Sequence, residues 1–299
     1  MAATRDKNAT ADGWAGVPGG IDPATRLGHV HLTVGSLENE VAFYQEVLGF
    51  RLQRRDGDSA SLGAGKEDLL RLTERPGARR AQRTTGLCHL CVSVPSRLEL
   101  AQLLRRIADT RTPVQGLVDH RTAEAIYLAD PEGNGIELDS DRPRAQWPTP
   151  AEMLRLGNAP LDAEGLEAEL AAVPGARAGL PPETTIGHVH LHVADLTAAR
   201  AFYHGVLGFD QMMELPGQAG FVSAGGYHHH VAYNIWAGAG APPPPEGALG
   251  LRYFTVRLPN EQALSQVVAR VRAANLPLEE TAAGLLVCDP SRNAVLLTT

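Results

Sequence analysis

The chain has 299 residues, 43% of them hydrophobic and 20% charged, which is enough for two domains that each bury a core. A formal net charge of -7 argues against a nucleic-acid partner, and Arg79, Arg80 and Arg83 are too local a group to reverse that. No apolar run is long enough to cross a bilayer and the first residues lack the apolar core of a signal peptide, so a cytoplasmic protein with no membrane partner is expected.

Residues 1–24 read as a disordered arm. Gly28-His29-Val30-His31-Leu32-Thr33-Val34 then reads as a strand, followed by a helical run that closes on Phe43-Tyr44-Gln45-Glu46-Val47-Leu48-Gly49-Phe50. The same pair returns 159 residues later, as Gly187-His188-Val189-His190-Leu191-His192-Val193 and Phe202-Tyr203-His204-Gly205-Val206-Leu207-Gly208-Phe209. Shorter echoes link Gly86-Leu87-Cys88-His89 with Gly250-Leu251-Arg252-Tyr253, and Asp130-Pro131 with Asp289-Pro290. The chain is a duplicated half, and each half divides again, so four quarters start near residues 27, 86, 186 and 250.

Each quarter reads as a strand, a helix and two or three further strands. In the second, the pattern gives a strand over 87–94, a helix over about 97–110, and strands over 125–129 and 135–138. Cys88 and Cys91 form a C-x-x-C, but in a strand residues three apart face opposite sides, so all three cysteines are expected to pack in the core. The turn Asp130-Pro131-Glu132-Gly133-Asn134-Gly135 leads into Ile136-Glu137-Leu138-Asp139, where alternation points Glu137 and Asp139 away from Ile136 and Leu138. A carboxylate on that face is either a solvated edge residue or a ligand.

Residues 141–184, rich in Pro and Gly, read as a linker with one amphipathic helix around 163–173, and residues 237–247 with Pro242-Pro243-Pro244-Pro245 as a shorter loop. The expected organisation is an arm (1–24), a first pair of modules (25–140), a linker (141–184) and a second pair (185–299).

The four modules, the GHVHL and FYxxVLGF openings and the DPEGNGIEL ending resemble the vicinal oxygen chelate superfamily, the group of glyoxalases, bleomycin-resistance proteins and extradiol dioxygenases. The similarity is greatest to its two-domain catechol 2,3-dioxygenase-type members, which also carry a run like Ala224-Gly225-Gly226-Tyr227-His228-His229-His230. The resemblance covers about residues 25–299 apart from the linker. It implies an α+β fold in which four βαβββ modules form two open barrels, with a metal on a concave face.

By that resemblance the ligand positions fall on His29, His89 and Glu137 in the first half and on His188, Tyr253 and Leu296 in the second. Leucine cannot coordinate, so a complete site takes His89 and Glu137 and either His29 or His188. Pairing modules one with two selects His29; pairing two with three selects His188. The His228-His229-His230 run of the third module favours His188. If its strand is regular, His228 and His230 share the concave face and His229 points away.

The resemblance further implies a hydrogen-bonding Tyr127, ten positions before Glu137, a supporting His120, and an acid/base histidine such as His230, with His228 beside it. Two imidazoles and a carboxylate on one side of a metal suit Fe(II) and oxygen chemistry, other divalent metals being possible. The implied function is extradiol ring cleavage of an aromatic catechol by O2, in a chain that, like many of this architecture, could form a homodimer. Two other readings remain open. One is a metal-dependent glyoxalase, epimerase or lyase with His230 as fourth ligand. The other is a metal-free drug-binding module, which 5% aromatic content disfavours.

Overall fold

A computed structural model describes residues 20–173 and 179–299. Every quarter takes the βαβββ form. The first module comprises β1 (Arg26–Val34), α1 (Leu37–Glu46), β2 (Arg51–Asp56), β3 (Ser59–Gly63) and β4 (Leu70–Glu74). The second comprises β5 (Gly86–Ser93), α2 (Arg97–Asp109), β6 (Gly116–Asp119), β7 (Ala123–Ala129) and β8 (Gly135–Asp141). Between the halves lie α3 (Pro150–Leu156), β9 (Ala159–Pro160) and α4 (Ala163–Ala172). The third module is β10 (Thr185–His192), α5 (Leu196–Arg200) with a wider turn over Ala201–Val206, β11 (Asp210–Leu215), β12 (Ala219–Ser223) and β13 (Val231–Asn234). The fourth is β14 (Gly250–Arg257), α6 (Glu261–Ala273), β15 (Glu279–Thr281), β16 (Gly284–Cys288) and β17 (Ala294–Thr298).

One local device starts all four module helices. Shortly after the opening strand, Ser36, Ser96, Asp195 or Asn260 adopts an extended conformation, and its side chain accepts the N–H three residues on. That satisfies one of the orphan donors of each helix N-terminus and fixes where the chain turns from strand to helix.

The modules pair out of sequence order. β14 and β1 join the fourth and first modules in an eight-stranded sheet, while β10 and β5 join the third and second in a nine-stranded one. The boundary between 25–140 and 185–299 therefore marks the duplication, not the sheets. Apolar alternate residues such as Val30, Leu32, Leu90, Val92, Val189 and Leu191 pack under the helices in one continuous core. Residues of the other parity are left on the concave faces.

The repeated motifs tie the two sheets together. Tyr44 in α1 donates to Asp130 Oδ2 at 3.1 Å, and Tyr203 donates to Asp289 Oδ2 at 2.9 Å, in both cases across 86 residues. Each tyrosine comes from an FYxxVLGF run and each aspartate from an Asp-Pro turn before the last strand of the next module. Because modules one and two lie in different sheets, and so do modules three and four, each bond crosses from one sheet to the other.

Two expectations about the connections change. Residues 1–19 of the expected arm lie outside the described residues, but Ile21 is buried and its N–H donates to Gly208 O at 2.7 Å, so residues 20–24 are anchored. The linker holds α4 where a helix is expected and adds α3 and β9. The signal for α3 is Thr149-Pro150-Ala151-Glu152, a capping box with Pro at the helix start. Residues 174–178 of the linker lie outside the described residues. Among the described residues no helix is long and apolar enough to cross a membrane.

Candidate metal centre

Four strands of the nine-stranded sheet set the site. β8 runs parallel to β5 with Glu137 beside Cys91, and antiparallel to β7 with Glu137 beside Tyr127. β10 runs antiparallel to β5 with His190 beside His89. His89, Tyr127, Glu137, His188 and His190 thereby share the wall opposite the helices. At the level of Gly187 and His188 the register shifts, two residues of β10 facing one of β5.

Glu137 Oε2 lies 3.0 Å from His89 Nε2 and 2.9 Å from His188 Nε2, and the two nitrogens are 3.3 Å apart. Donor atoms of the three residues lie within 4.8 Å of one another, close enough to share one ion. Glu137 is 2% exposed and His188 1%. Burial works against the Glu137 charge, but the imidazoles of His188 and His89 outweigh it and hold the carboxyl well below its ordinary range. Burial likewise opposes protonation of His89, while hydrogen bonds with Cys88 and Glu137 lift it to about 9. An anionic carboxylate with two imidazole nitrogens, on one wall of an open cavity, is a donor set that suits a divalent metal such as iron, zinc or nickel.

The cavity in front of this trio has a volume of about 690 Å³. Met213, Leu215, Phe221 and Trp236 line one side, Val118 the other, and Met153 and Leu154 of α3 lie across it. Its body is apolar and its polar groups converge on the trio, the usual build of a small-molecule site.

A family model described as the Glyoxalase/Bleomycin resistance protein/Dioxygenase superfamily matches residues 26–138 and 185–285. The chain belongs to this superfamily. It is 43% identical over 281 residues, 92% of this chain and 98% of the other, to the catechol-2,3-dioxygenase of Bacillus subtilis (strain 168). It is 29% identical over 126 residues to the lactoylglutathione lyase of Escherichia coli O157:H7, covering 39% of this chain and 93% of that one. Among solved structures, a Bacillus subtilis (subsp. subtilis strain 168) protein described provisionally as a dioxygenase aligns with a TM-score of 0.62 at 14% identity, over 91% of this chain and 84% of that one.

Within this superfamily member, the two candidate histidines part company. His29 belongs to the eight-stranded sheet, where its Nε2 lies 3.4 Å from Tyr253 Oη and where Leu296 is buried on the last strand. Burial lowers the His29 imidazole to about 4. The eight-stranded sheet thus offers an imidazole and a phenol but no carboxylate at the matching places, whereas His188 stands beside Glu137.

Tyr127 and His120 meet at the cavity. His120 Nε2 lies 2.6 Å from Tyr127 Oη and 3.6 Å from Glu137 Oε1. Its other nitrogen is 3.0 Å from Asn158 Oδ1, a linker residue that sequence reasoning misses because only the folding back of β9 onto β6 brings it there. Burial first, then the charge of Glu137, pushes the Tyr127 hydroxyl well above its ordinary value, so it stays a donor.

The histidine run departs from strand alternation. Gly225 and Gly226 take positive φ angles of 61° and 67°, and regular pairing of β13 starts only at Val231, so residues 227–230 lie outside the regular strand. As a result His228 and His229 line the cavity and His230 does not. The His229 ring lies 4.1 Å, centre to centre, from that of His188. His228 joins it to the surface side, with Nδ1 2.9 Å from His229 Nδ1 and Nε2 3.0 Å from Asp141 Oδ1. His230 Nδ1 instead lies 2.9 Å from Ser223 Oγ and accepts the Ala224 N–H at 3.2 Å, bracing the glycine turn.

Proposed function

We propose that the protein is an Fe(II)-dependent extradiol dioxygenase that opens the ring of a catechol-type aromatic. The observation that carries this reading is one carboxylate, Glu137, lying within hydrogen-bond distance of imidazoles from two different modules at the wall of a cavity that Met213, Leu215, Phe221 and Trp236 also line. The 43% identity to a catechol-2,3-dioxygenase over nearly the whole of both chains supports the same reading.

His89, His188 and Glu137 would hold the iron. Bound there, iron would supply the redox chemistry that O2 requires and the positive charge that favours a catecholate. The apolar walls, Phe221 and Trp236 among them, take a flat ring and keep water from it. Tyr127, polarised by His120, donates a hydrogen bond to oxygen atoms of the ligand as they gain charge. His229 is the imidazole placed to receive a proton from a substrate hydroxyl and return it later, the part expected of His230. Both atoms of O2 end in the product, a ring-opened semialdehyde.

The isomerase and lyase reading asks for four protein ligands. Among the described residues no fourth histidine, cysteine or carboxylate lies mutually within 4.8 Å of the trio, and His230 is turned away. The deciding experiment is aerobic assay of the Fe(II)-loaded protein against a panel of catechols, following O2 uptake and yellow product. Stoichiometric iron with no uptake on any catechol would overturn the proposal, and bound zinc or nickel with isomerase activity would replace it.

A further inference from the structure

The trio engages one side of His89. On the other side β5 bulges: His190 pairs with His89 and Leu191 with Leu87, so Cys88 has no partner in β10. The bulge sets Cys88 in the cavity wall instead of the core, where its thiol is in hydrogen-bond contact with the imidazoles of His192 and His89. One donor atom each from Cys88, His89 and His190 lies within 4.8 Å of the other two.

His190 gives the cluster its point. It is 5% exposed, its ring centre is 4.9 Å from that of His89, and its buried Nε2 has no hydrogen-bond partner. Trp236 and Phe221 lie against the same ring at 5.1 and 6.0 Å. A buried imidazole nitrogen left unsatisfied is unfavourable, and native structures pair such atoms unless a ligand does so.

We propose that Cys88, His89 and His190 form a second cation site, for thiophilic borderline metals of the zinc, cobalt and cadmium kind. One sulfur and two imidazole nitrogens favour such ions over hard ones. Binding is ligand exchange without redox: the thiol proton passes to solvent as the sulfur–metal bond forms. His89 is common to both clusters, so an ion held by Cys88 draws His89 from Glu137 and His188 and opposes loading of the trio. Only this shared histidine makes the inference rest on the reading of the trio.

Co(II) is the probe, added to the full-length protein after chelation, and the signal is the near-ultraviolet thiolate-to-Co(II) charge-transfer absorption. Glu137→Gln weakens the trio and is expected to show this absorption at least as strongly as wild type. Adding Cys88→Ser to Glu137→Gln is expected to abolish it, while adding Cys91→Ala is expected to leave it, with far-ultraviolet circular dichroism checking that each variant folds. No thiolate band in Glu137→Gln at saturating Co(II) overturns the proposal. So does a band that survives Cys88→Ser, because Cys91 belongs to a different cluster with Asp139 and His188. A band that follows Cys88 in a protein that cleaves no catechol would leave this site standing and remove the dioxygenase.

Discussion

His188 Nε2 sits 2.9 Å from Glu137 Oε2, although the two residues belong to different halves of a duplicated chain. That contact exists only because the second and third modules share a sheet. Glu137→Gln and His188→Ala are therefore expected to lower bound metal by roughly tenfold or more, read by elemental analysis after gel filtration. His29→Ala, in the other sheet, should retain full metal content. Equal loss in all three variants would mean that the trio is not the ligand set.

Tyr127 is expected to act on turnover without holding the metal. Its hydroxyl is 2.6 Å from His120 Nε2, and burial keeps it protonated. Tyr127→Phe should reduce kcat by about 10²–10³ with metal content unchanged, the range for loss of one hydrogen-bond donor to developing charge. A fall in iron content matching the fall in rate would show a structural part instead.

Much of this site was legible from residue types and spacing, and what was not has local causes. Alternation along β5, β8 and β10 placed His89, Glu137 and His188 on one face because regular strands have period two. It failed at Cys88, where a bulge adds a residue, and at His228 to His230, where the glycine turn replaces strand geometry. Asn158 and α3 reach the cavity through the linker's path, which no periodicity records. The pairing of modules two with three rested on chemistry: only the third module brings the His228-His229-His230 run, and the fourth has lost its carboxylate at Leu296.

The exchange of His230 for His229 is directly checkable. His229 lines the cavity beside His188, whereas His230 braces Ser223 and Ala224. His229→Ala should lower kcat by about 10²–10⁴ with little change in thermal stability. His230→Ala should instead lower stability by about 1–3 kcal/mol through the unpaired Ala224 N–H, measured by urea unfolding. If His230→Ala removed turnover at unchanged stability, the two assignments would be reversed.

The tyrosine bonds that cross between sheets predict a stability effect far from the cavity. Tyr203 is fully buried and its hydroxyl donates to Asp289 Oδ2, which also accepts from Asn293 Nδ2 at 2.9 Å. Tyr203→Phe should cost about 1–3 kcal/mol in urea unfolding and leave metal content unchanged. Tyr44→Phe, at the equivalent place, should behave alike. An unchanged urea midpoint for both would show that the motif's repetition has another cause.

Beside Tyr44, Glu40 gives the protein a pH dependence whose direction can be worked out. Its carboxyl is fully buried, and burial, then repulsion from Asp130 and Glu132, raises it from 4.5 to about 9. A folded-state value above the unfolded one means that the folded protein holds the extra proton between those limits. The contribution is fully present below pH 4.5 and is lost progressively as pH rises toward 9. Glu40→Gln keeps the shape and removes the charge, so its advantage over wild type should grow between pH 5 and 8.5, reaching about 1–3 kcal/mol at the alkaline end. Thermal unfolding of both proteins across that range is the measurement. A constant offset in Tm would show that Glu40 does not titrate there, because a group of fixed charge shifts the whole curve without changing its slope.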